Sequence, residues 1–252
     1  MNFKRPIIWL RVLYSLLLTF GGVKANIYSA EQTVEEIKKG RSLIRFGDGE
    51  FGIYRGKDIH YQKWSSELKA EFDKIKQDYE KDVNNCPYVL AVPKSFMSIS
   101  GFKLMKKRVY VSSWAESRLQ FKKTFNRKIA YGDSFLFEKK NKETYSKIWN
   151  REDCPKNVIF VHNCSKYAEN FSNTYNKNTF FVECPSKDAF SCVDELEKEI
   201  LSVIEKNGFN KDNVTMAISA GPAGKVLVYR FATKGYMAID AGHCWDDPLE
   251  GV

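Results

Sequence analysis

Residues 42–50 read Ser-Leu-Ile-Arg-Phe-Gly-Asp-Gly-Glu, and this stretch decides how the rest of the chain is interpreted. Its first five residues form a short apolar run of the kind that becomes a buried strand. Two carboxylates, Asp48 and Glu50, follow at once. The glycines beside them, Gly47 and Gly49, allow backbone conformations that other residues reach only at a cost. The stretch therefore predicts a strand that delivers two acidic side chains into one pocket.

Beyond this stretch, apolar runs alternate with amphipathic segments along the chain. The pattern predicts further strands at 88–92, 128–131, 157–161, 179–182, 214–218 and 236–240, and helices at 29–39, 65–81, 113–125, 142–149, 185–207 and 223–233. Strands that are apolar throughout and alternate with helices indicate a mostly parallel sheet with helices on both faces. The sequence therefore predicts the α/β class, with residues 29–252 as a single domain and 1–28 as a basic, apolar N-terminal leader.

Polar side chains cluster where three of the predicted strands end. The clusters lie at 48–50, 219–225 and 240–243. In open parallel sheets, ligands bind beyond the carboxyl ends of the strands. The three clusters together therefore predict an active site at this edge of the sheet.

The acidic pair is the leading candidate for the centre of that site. Two neighbouring carboxylates repel each other unless a cation or a shared proton relieves them. Oxygen ligands suit Mg²⁺ or Mn²⁺, which bind through one or two carboxylates together with substrate phosphates. A divalent ion held by Asp48 and Glu50 can neutralise a diphosphate leaving group, as glycosyl transfer from a nucleotide sugar requires. The alternative is an acidic turn that caps the next segment.

The turn at 219–225, Ser-Ala-Gly-Pro-Ala-Gly-Lys, is a candidate phosphate site between a strand and a helix. Backbone N–H groups at the start of a helix, with Lys225 nearby, can hold a phosphate. The turn is not a Walker A loop, because Ser219 stands where that loop needs Gly and Val226 where it needs Ser or Thr. The alternative is a tight turn with Lys225 in solvent.

Two further polar turns carry candidate residues. Asp240 and His243, at the end of the last strand, are candidates for a base, a further metal ligand or a hydrogen-bond partner of a nucleotide-sugar donor. Asp133, which precedes Ser134 in a turn after another strand, either binds a sugar hydroxyl or caps a helix.

Charge and cysteine content narrow the functional class. Forty Lys and Arg against 31 Asp and Glu give a net charge of +9, spread in short pieces along the chain. This balance suits a phosphate-bearing substrate or an anionic membrane surface. No helix-turn-helix, zinc-finger or RNA-binding signature accompanies it, so nucleic acid is not predicted as a partner. The six cysteines include no Cys-x-x-Cys pair, and we predict that they are reduced.

Residues 4–20 combine basic and apolar side chains and have two interpretations. Lys4 and Arg5 precede an apolar run at 12–20, which is the outline of a secretory signal over 1–25 and of an exported protein. The segment also fits a helix that lies on the cytoplasmic membrane face or packs on the domain. A cytoplasmic protein, peripheral on the inner membrane face, is favoured because nucleotide sugars are made in the cytoplasm.

Five collinear motifs resemble one family. Residues 45–50, Arg-Phe-Gly-Asp-Gly-Glu, closely resemble the Asp-X-Glu signature of bacterial glycosyltransferases with the GT-D fold. The likeness continues at 131–135, 184–190, 221–223 and 235–243, in the family's order, and covers about 29–243.

The resemblance implies a Rossmann-like α/β domain that transfers a hexose from a UDP-sugar to an acceptor hydroxyl of a glycan or glycoprotein, in surface glycoprotein or polysaccharide synthesis. It also implies Mn²⁺ or Mg²⁺ held by Asp48 and Glu50. The implied catalytic residues are Asp48, Glu50, Asp240 and His243. The implied donor-binding residues are Arg45, Phe46, Gly47, Gly49, Asp133, Ser134, Gly221, Pro222 and Lys225.

One segment departs from the family pattern. Between Val161 and Phe180 the family usually has a Glu-Gly turn, a Ser-Arg pair and a Gly-rich stretch, whereas residues 162–167 here read His-Asn-Cys-Ser-Lys-Tyr. Lys166 can substitute for the missing cation but lacks the guanidinium fork for bidentate phosphate contact. Two other hypotheses therefore stay open: a metal-dependent phosphohydrolase that uses the same acidic pair, and an inactive relative that binds a nucleotide sugar.

Overall fold

The computed structural model of the protein describes residues 4–242 and residue 244, with side chains described from residue 7 onward. Within these residues, a single sheet contains strands β1 Asn26–Ile27, β2 Ser42–Arg45, β3 Tyr88–Val92, β4 Ala130–Asp133, β5 Asn157–His162, β6 Asn178–Glu183, β7 Val214–Ile218 and β8 Met237–Asp240. The strand order is β1-β4-β3-β2-β8-β7-β5-β6, and every pairing is parallel. The predicted α/β class with a parallel sheet is confirmed, and the predicted strands at 88–92 and 214–218 match β3 and β7 residue for residue.

Helices cover both faces of the sheet. They are α1 Lys4–Leu18, α2 Ala30–Lys38, α3 Asp48–Tyr54, α4 Ser66–Lys81, α5 Lys94–Ser98, α6 Gly101–Met105, α7 Val111–Thr124, α8 Lys142–Asn150, α9 Ser165–Tyr175, α10 Val193–Lys206 and α11 Gly221–Thr233. Successive side chains of a strand point to opposite faces. Leu43 of β2 accordingly belongs to one apolar cluster and Ile44 to the other, and both are fully buried. This explains why the strands are apolar throughout.

Local signals fix several helix ends where the sequence predicts them. The Ser29 hydroxyl accepts a hydrogen bond from the Gln32 backbone, and the Gln32 side chain accepts one from the Ser29 backbone, so the two residues cap α2. Ser65 caps α4 through the Leu68 backbone. The predicted apolar stripe of α4 is buried against the sheet, and it consists of Leu68, Phe72, Ile75 and Tyr79.

The predicted helix at 185–207 is wrong in its first part. A short 3₁₀ turn covers Ala189–Cys192, and α10 begins only at Val193. Asp188 has a left-handed backbone with φ of 52°, which interrupts a helical path. Its carboxylate accepts a 2.6 Å hydrogen bond from the Lys63 backbone N–H, so residues near 188 are held against the loop at 61–63 instead of continuing a helix.

The described part of the predicted leader is packed on the domain. Val12 and Leu16 of α1 are buried in the core against α7. The Arg118 side chain of α7 donates hydrogen bonds to the Thr19 and Ile99 carbonyls, and β1 pairs with β4 in the sheet. Among the described helices, none is long and apolar enough to cross a membrane. All six cysteines lie in the described part of the chain, and none of them forms a disulfide bond there.

Candidate functional site

A cavity of about 710 Å³ lies at the carboxyl edge of the sheet. The segments that follow six strands line it, namely 47–50 after β2, 134–135 after β4, 162–163 after β5, 184–186 after β6, 219–222 after β7 and Gly242 after β8. The edge where the sequence predicts ligand binding therefore carries a large cavity, as expected for an open parallel sheet.

Asp48 is the first residue of α3 and lines this cavity. Burial raises the pKa of its carboxyl group, and the negative charge of Glu50 raises it further, while a hydrogen bond from Ser113 opposes both effects. Binding of a proton or of another cation would therefore relieve the unfavourable negative charge of the Asp48 carboxylate in the folded chain. No helix is predicted at these residues, whereas in the structure they form the first turn of α3.

Glu50, two residues further, is engaged on both oxygens. Its Oε2 accepts a 2.7 Å hydrogen bond from the Gly47 backbone N–H, which caps α3. Its Oε1 lies 3.4 Å from Nζ of Lys225, and the residue is 5% exposed. Glu50 therefore both fixes the start of α3 and takes part in a buried ion pair.

Lys225 lies between two carboxylates, with Nζ 3.2 Å from Oδ2 of Asp240 as well as 3.4 Å from Glu50. Burial alone lowers the pKa of an ammonium group, but the charges of Asp240 and Glu50 outweigh burial and raise the pKa of Lys225. The alternative of a tight turn with Lys225 in solvent is wrong, because the side chain is buried at the cavity wall.

Asp240, 1% exposed, lies behind the cavity wall and is not among the residues that line it. Its Oδ2 accepts a hydrogen bond from the Arg45 backbone N–H at 3.0 Å, and its backbone carbonyl accepts one from Arg45 Nε at 2.7 Å. Nη1 of Arg45 donates to the Ser134 carbonyl at 3.0 Å. Asp240 thus holds Arg45 and Lys225 in place, and its catalytic role stays a prediction. The predicted catalytic residue His243 lies outside the described residues.

Gly242 has a structural reason to be glycine. Its φ is 56°, and a Cβ there would lie 1.9 Å from Nη2 of Arg45. The close approach of the backbone keeps the guanidinium group between Gly242 and the Ser134 carbonyl.

Two of the predicted donor-binding residues lie away from the cavity. Phe46 is fully buried in the core, with its ring centroid 5.0 Å from that of Phe72. Asp133 accepts hydrogen bonds from the backbones of Lys94 and Phe135, so it caps a turn and does not face the cavity. The structure thus favours the capping alternative for Asp133, and the motif alone does not show which side chains of a strand end turn into the core. Lys166 is exposed and likewise not part of the lining.

The start of α11 forms another part of the wall. Ser219, Gly221 and Pro222 line the cavity, and within the described chain the buried Ser219 hydroxyl has no hydrogen-bond partner. Gly221 has φ of 53°, and a Cβ there would lie 2.9 Å from the ring of Tyr61. The N-terminus of α11 therefore faces the cavity closely, and the partial positive charge of a helix N-terminus favours an anion there.

Several cavity residues carry no signature in the sequence. Glu116 of α7 accepts a 2.6 Å hydrogen bond from Nζ of Lys57 and lies 3.2 Å from Arg11 and 3.6 Å from Arg55. Nε and Nη1 of Arg55 are buried and have no hydrogen-bond partner in the part of the chain that is described.

Burial also raises the pKa of Tyr61 to about 12, and the charge of Glu50 adds to this.

The donor set fits a divalent cation with few protein ligands. No group of three or more His, Cys, Asp or Glu residues that could hold a metal occurs among residues 4–242 and 244. Mg²⁺ and Mn²⁺ are commonly bound by one or two carboxylates, with substrate phosphates completing the coordination. Asp48 and Glu50 meet this description. The pKa of Asp48 is raised, and Glu50 also forms an ion pair with Lys225.

These features define the class: a Rossmann-like α/β protein with a charged cavity at the carboxyl edge of an all-parallel sheet. The family model for the glycosyltransferase GT-D fold matches residues 43–247, and the chain belongs to this family. The resemblance seen in the sequence motifs is thereby confirmed.

Two curated relatives are named as glycosyltransferases. The chain is 28% identical over 229 residues to glycosyltransferase GlyD of Streptococcus pneumoniae serotype 4, a match that covers 82% of this chain and 25% of the relative. It is 22% identical over 232 residues to the probable glycosyl transferase Gly of Streptococcus gordonii, covering 86% and 32%. The chain thus spans about a quarter to a third of the length of these relatives.

Solved structures show the same fold. One, described as a domain of unknown function 1792 with a distinct glycosyltransferase fold, has a TM-score of 0.70 at 23% identity and covers 93% of this chain and 83% of that chain. A new glycosyltransferase of this domain type from Streptococcus sanguinis has a TM-score of 0.69 at 22% identity, covering 88% and 82%.

Proposed function

We propose that the protein is a metal-dependent glycosyltransferase that moves a hexose from a UDP-sugar to an acceptor hydroxyl of a glycan or glycoprotein. The observation that carries the proposal is Asp48, a cavity-lining carboxylate whose pKa is raised by burial and by Glu50. A nucleotide-sugar donor brings a diphosphate, and a divalent ion held by Asp48 would offset the negative charge of both the carboxylate and the diphosphate.

Each wall of the cavity has a part in this proposal. When bound, Mn²⁺ or Mg²⁺ supplies charge neutralisation for the departing nucleotide diphosphate. Asp48 and Glu50 would hold the ion, while the α11 N-terminus at 219–222 offers backbone N–H groups and a free hydroxyl to the phosphates. Lys225 holds the carboxylates of Glu50 and Asp240 in place, and the Arg45 backbone joins the end of β2 to Asp240 at the end of β8.

The location and further partners are part of the same proposal. We place the protein in the cytoplasm, where UDP-sugars are made, with a peripheral membrane contact through residues 4–20. The packing of α1 on α7 supports a segment that stays with the folded domain. Mass spectrometry of the protein recovered from its native cells tests this, since loss of residues 1–25 would support export instead.

The activity is tested by incubating the purified protein with a panel of UDP-hexoses and Mn²⁺, with and without a glycan acceptor. The proposal predicts a glycosylated acceptor, no transfer after chelation of the metal, and no transfer by Asp48→Ala. Release of phosphate or nucleotide at the same rate without acceptor would indicate the phosphohydrolase instead. Full transfer by Asp48→Ala would refute the assignment of Asp48.

A binding-only protein is the second candidate, and the segment 162–167 favours it. The cation that this segment offers, Lys166 in the first turn of α9, is exposed and outside the cavity lining, so it does not replace the family's Arg at the site. Binding of UDP with Mn²⁺ but no transfer to any acceptor would support this candidate.

A further inference from the structure

The exposed apolar side chains of the protein are concentrated in two segments. Apart from Trp64 and Leu201, every large hydrophobic side chain exposed in the described residues lies at 7–18 or 102–110. On α1 they are Ile7, Ile8, Trp9, Leu10, Leu13, Tyr14, Leu17 and Leu18, and in the second segment Phe102, Met105, Val109 and Tyr110. A contiguous apolar surface of this kind on a folded domain marks an interaction site.

The two segments are joined into one surface. The rings of Phe20, just after α1, and Phe102, in α6, meet edge to face with centroids 4.7 Å apart. The Phe20 carbonyl accepts a 2.5 Å hydrogen bond from the Gly101 backbone N–H, and Arg118 bridges the Thr19 and Ile99 carbonyls. The end of α1 and the start of α6 are therefore fixed side by side.

The orientation of α1 turns its apolar side outward. Val12 and Leu16 form its buried stripe against α7, whereas Leu13 and Leu17, one position further along, are 52% and 63% exposed. Because the helix is anchored along one side, it lies along the surface of the domain. An amphipathic helix that lies in the plane of a membrane interface has this arrangement.

The two segments that carry this surface contain only basic charged residues, one of which, Arg11, is paired with Glu116 of α7. Residues 1–30 contain no Asp or Glu and four basic residues, Lys4, Arg5, Arg11 and Lys24. Residues 93–115 contain no Asp or Glu and five basic residues, Lys94, Lys103, Lys106, Lys107 and Arg108. Anionic lipid headgroups attract such segments, whereas two copies of this face would bring like charges together.

We propose that α1 and residues 102–110 together form a docking surface for an anionic lipid bilayer. The apolar side chains enter the interface, and the flanking Lys and Arg contact the headgroups. Ile8 and Val12 of α1 also line the cavity, so docking brings one side of the cavity close to the lipid. If the proposed transferase activity holds, the acceptor is then presented at a membrane surface.

The test is co-sedimentation of the full chain with vesicles of phosphatidylcholine that contain phosphatidylglycerol, compared with phosphatidylcholine alone, without any sugar donor. We expect binding to the anionic vesicles that weakens as salt is added. Leu13→Gln combined with Leu17→Gln should weaken binding about tenfold or more, because two exposed apolar anchors are lost. Val109→Gln should weaken it in the same direction, which tests the second segment independently of the fold of α1.

Matched controls are Trp64→Gln and Leu201→Gln, which remove the exposed apolar side chains that lie elsewhere. Both should bind vesicles like the parent chain. No binding to anionic vesicles by the parent, or equal binding by the Leu13/Leu17 variant and the parent, would overturn the proposal. So would concentration-dependent dimers in solution that the Leu13/Leu17 variant abolishes, since a second copy would then cover the face. Because the assay uses no donor, its failure leaves the transferase proposal untouched, and failure of sugar transfer leaves the docking surface untouched.

Discussion

The cavity has two walls that differ in how their charges are satisfied. One, which we call the buried wall, consists of Arg45, Glu50 and Lys225, together with Asp240 directly behind them. Its two cations and two carboxylates pair with each other, and Glu50, Lys225 and Asp240 are each no more than 6% exposed. Buried charges that are fully paired and hydrogen-bonded hold a geometry but are costly to disturb.

The other wall, which we call the open wall, consists of Asp48, Arg55, Lys57 and Glu116, with Arg11 paired to Glu116. Here Glu116 faces three cations, two donors of Arg55 lack a partner within the described chain, and the pKa of Asp48 is raised. The charges of this wall are satisfied only in part.

The difference between the two walls indicates which residues support the structure and which residues bind ligand. A wall whose charges are already paired positions the strand ends, whereas a wall with unsatisfied groups gains from a charged ligand. Asp48 belongs to the open wall, whereas Glu50, which would hold the ion together with Asp48, is also paired with Lys225 in the buried wall. We therefore expect Asp48 to matter mainly for ligand binding and Glu50 to matter for both ligand binding and structure.

The largest expected effect is on stability, from Lys225→Met. Removing the ammonium group leaves Glu50 and Asp240 buried without their shared cation, which costs about 3–5 kcal/mol in the free energy of unfolding. Urea denaturation measures this. The control is Lys234→Met at the exposed end of α11, where loss of the pair with Glu197 should cost less than about 1 kcal/mol. Equal losses in the two variants would remove the distinction between a buried and an exposed pair.

Asp48→Asn should abolish activity without destabilising the fold. We expect a loss of sugar transfer of at least about 100-fold, equivalent to ~2.7 kcal/mol in the transition state. Because the folded-state pKa of Asp48 lies above its ordinary value of 3.8, the charged carboxylate destabilises the fold above the folded pKa. The variant should therefore be as stable as the parent or more stable at pH 7, and the difference should vanish as the pH falls below 3.8. A clear loss of stability at pH 7 would place Asp48 with the buried wall.

Glu50→Gln, in contrast to Asp48→Asn, should lower the stability of the fold and should reduce sugar transfer less. The amide oxygen can still accept the hydrogen bond from Gly47, but the ion pair with Lys225 is lost, so we expect a destabilisation of about 1–3 kcal/mol. Transfer should fall less than in Asp48→Asn when both are assayed at the same fraction of folded protein. A larger loss of transfer in Glu50→Gln would exchange the roles of the two carboxylates.

The smallest effect is expected at the start of α11, from Gly221→Ala. The positive φ penalises any Cβ by about 1 kcal/mol, and the clash with Tyr61 adds to this. Gly208→Ala is the control, since Gly208 has φ of 62° and open space around it. Both variants carry the cost of the positive φ, so the difference between their losses in unfolding free energy measures the clash with Tyr61. Equal losses would mean that the Tyr61 ring moves aside without measurable cost.

The fold was predictable because its signals are local. Continuous apolar strands, the Ser29 and Ser65 caps and the stripe of α4 all act within a few residues, and the structure reproduces them. The helix at 48–54 was missed because Gly49 and Gly52 within it disfavour a helix, yet the Glu50 cap and the burial of its apolar side override that preference.

Residues of the site could be predicted from the sequence only where they belong to a recognisable motif. Asp48, Glu50 and the 219–225 turn stand at strand ends and reach the cavity as expected. Arg55 and Glu116 were missed because they meet across 61 residues (116 − 55) through helix packing, and no spacing rule connects them. Phe46 was misplaced because the motif does not say which side chains of a strand end turn into the core.

Calorimetric titration of UDP into the parent chain and into Asp48→Asn, with and without Mn²⁺, tests the central claim most directly. The account predicts that the parent binds UDP only when Mn²⁺ is present, and that Asp48→Asn does not bind it under either condition. UDP binding by the parent that is independent of Mn²⁺, or equal binding by both chains, would contradict it.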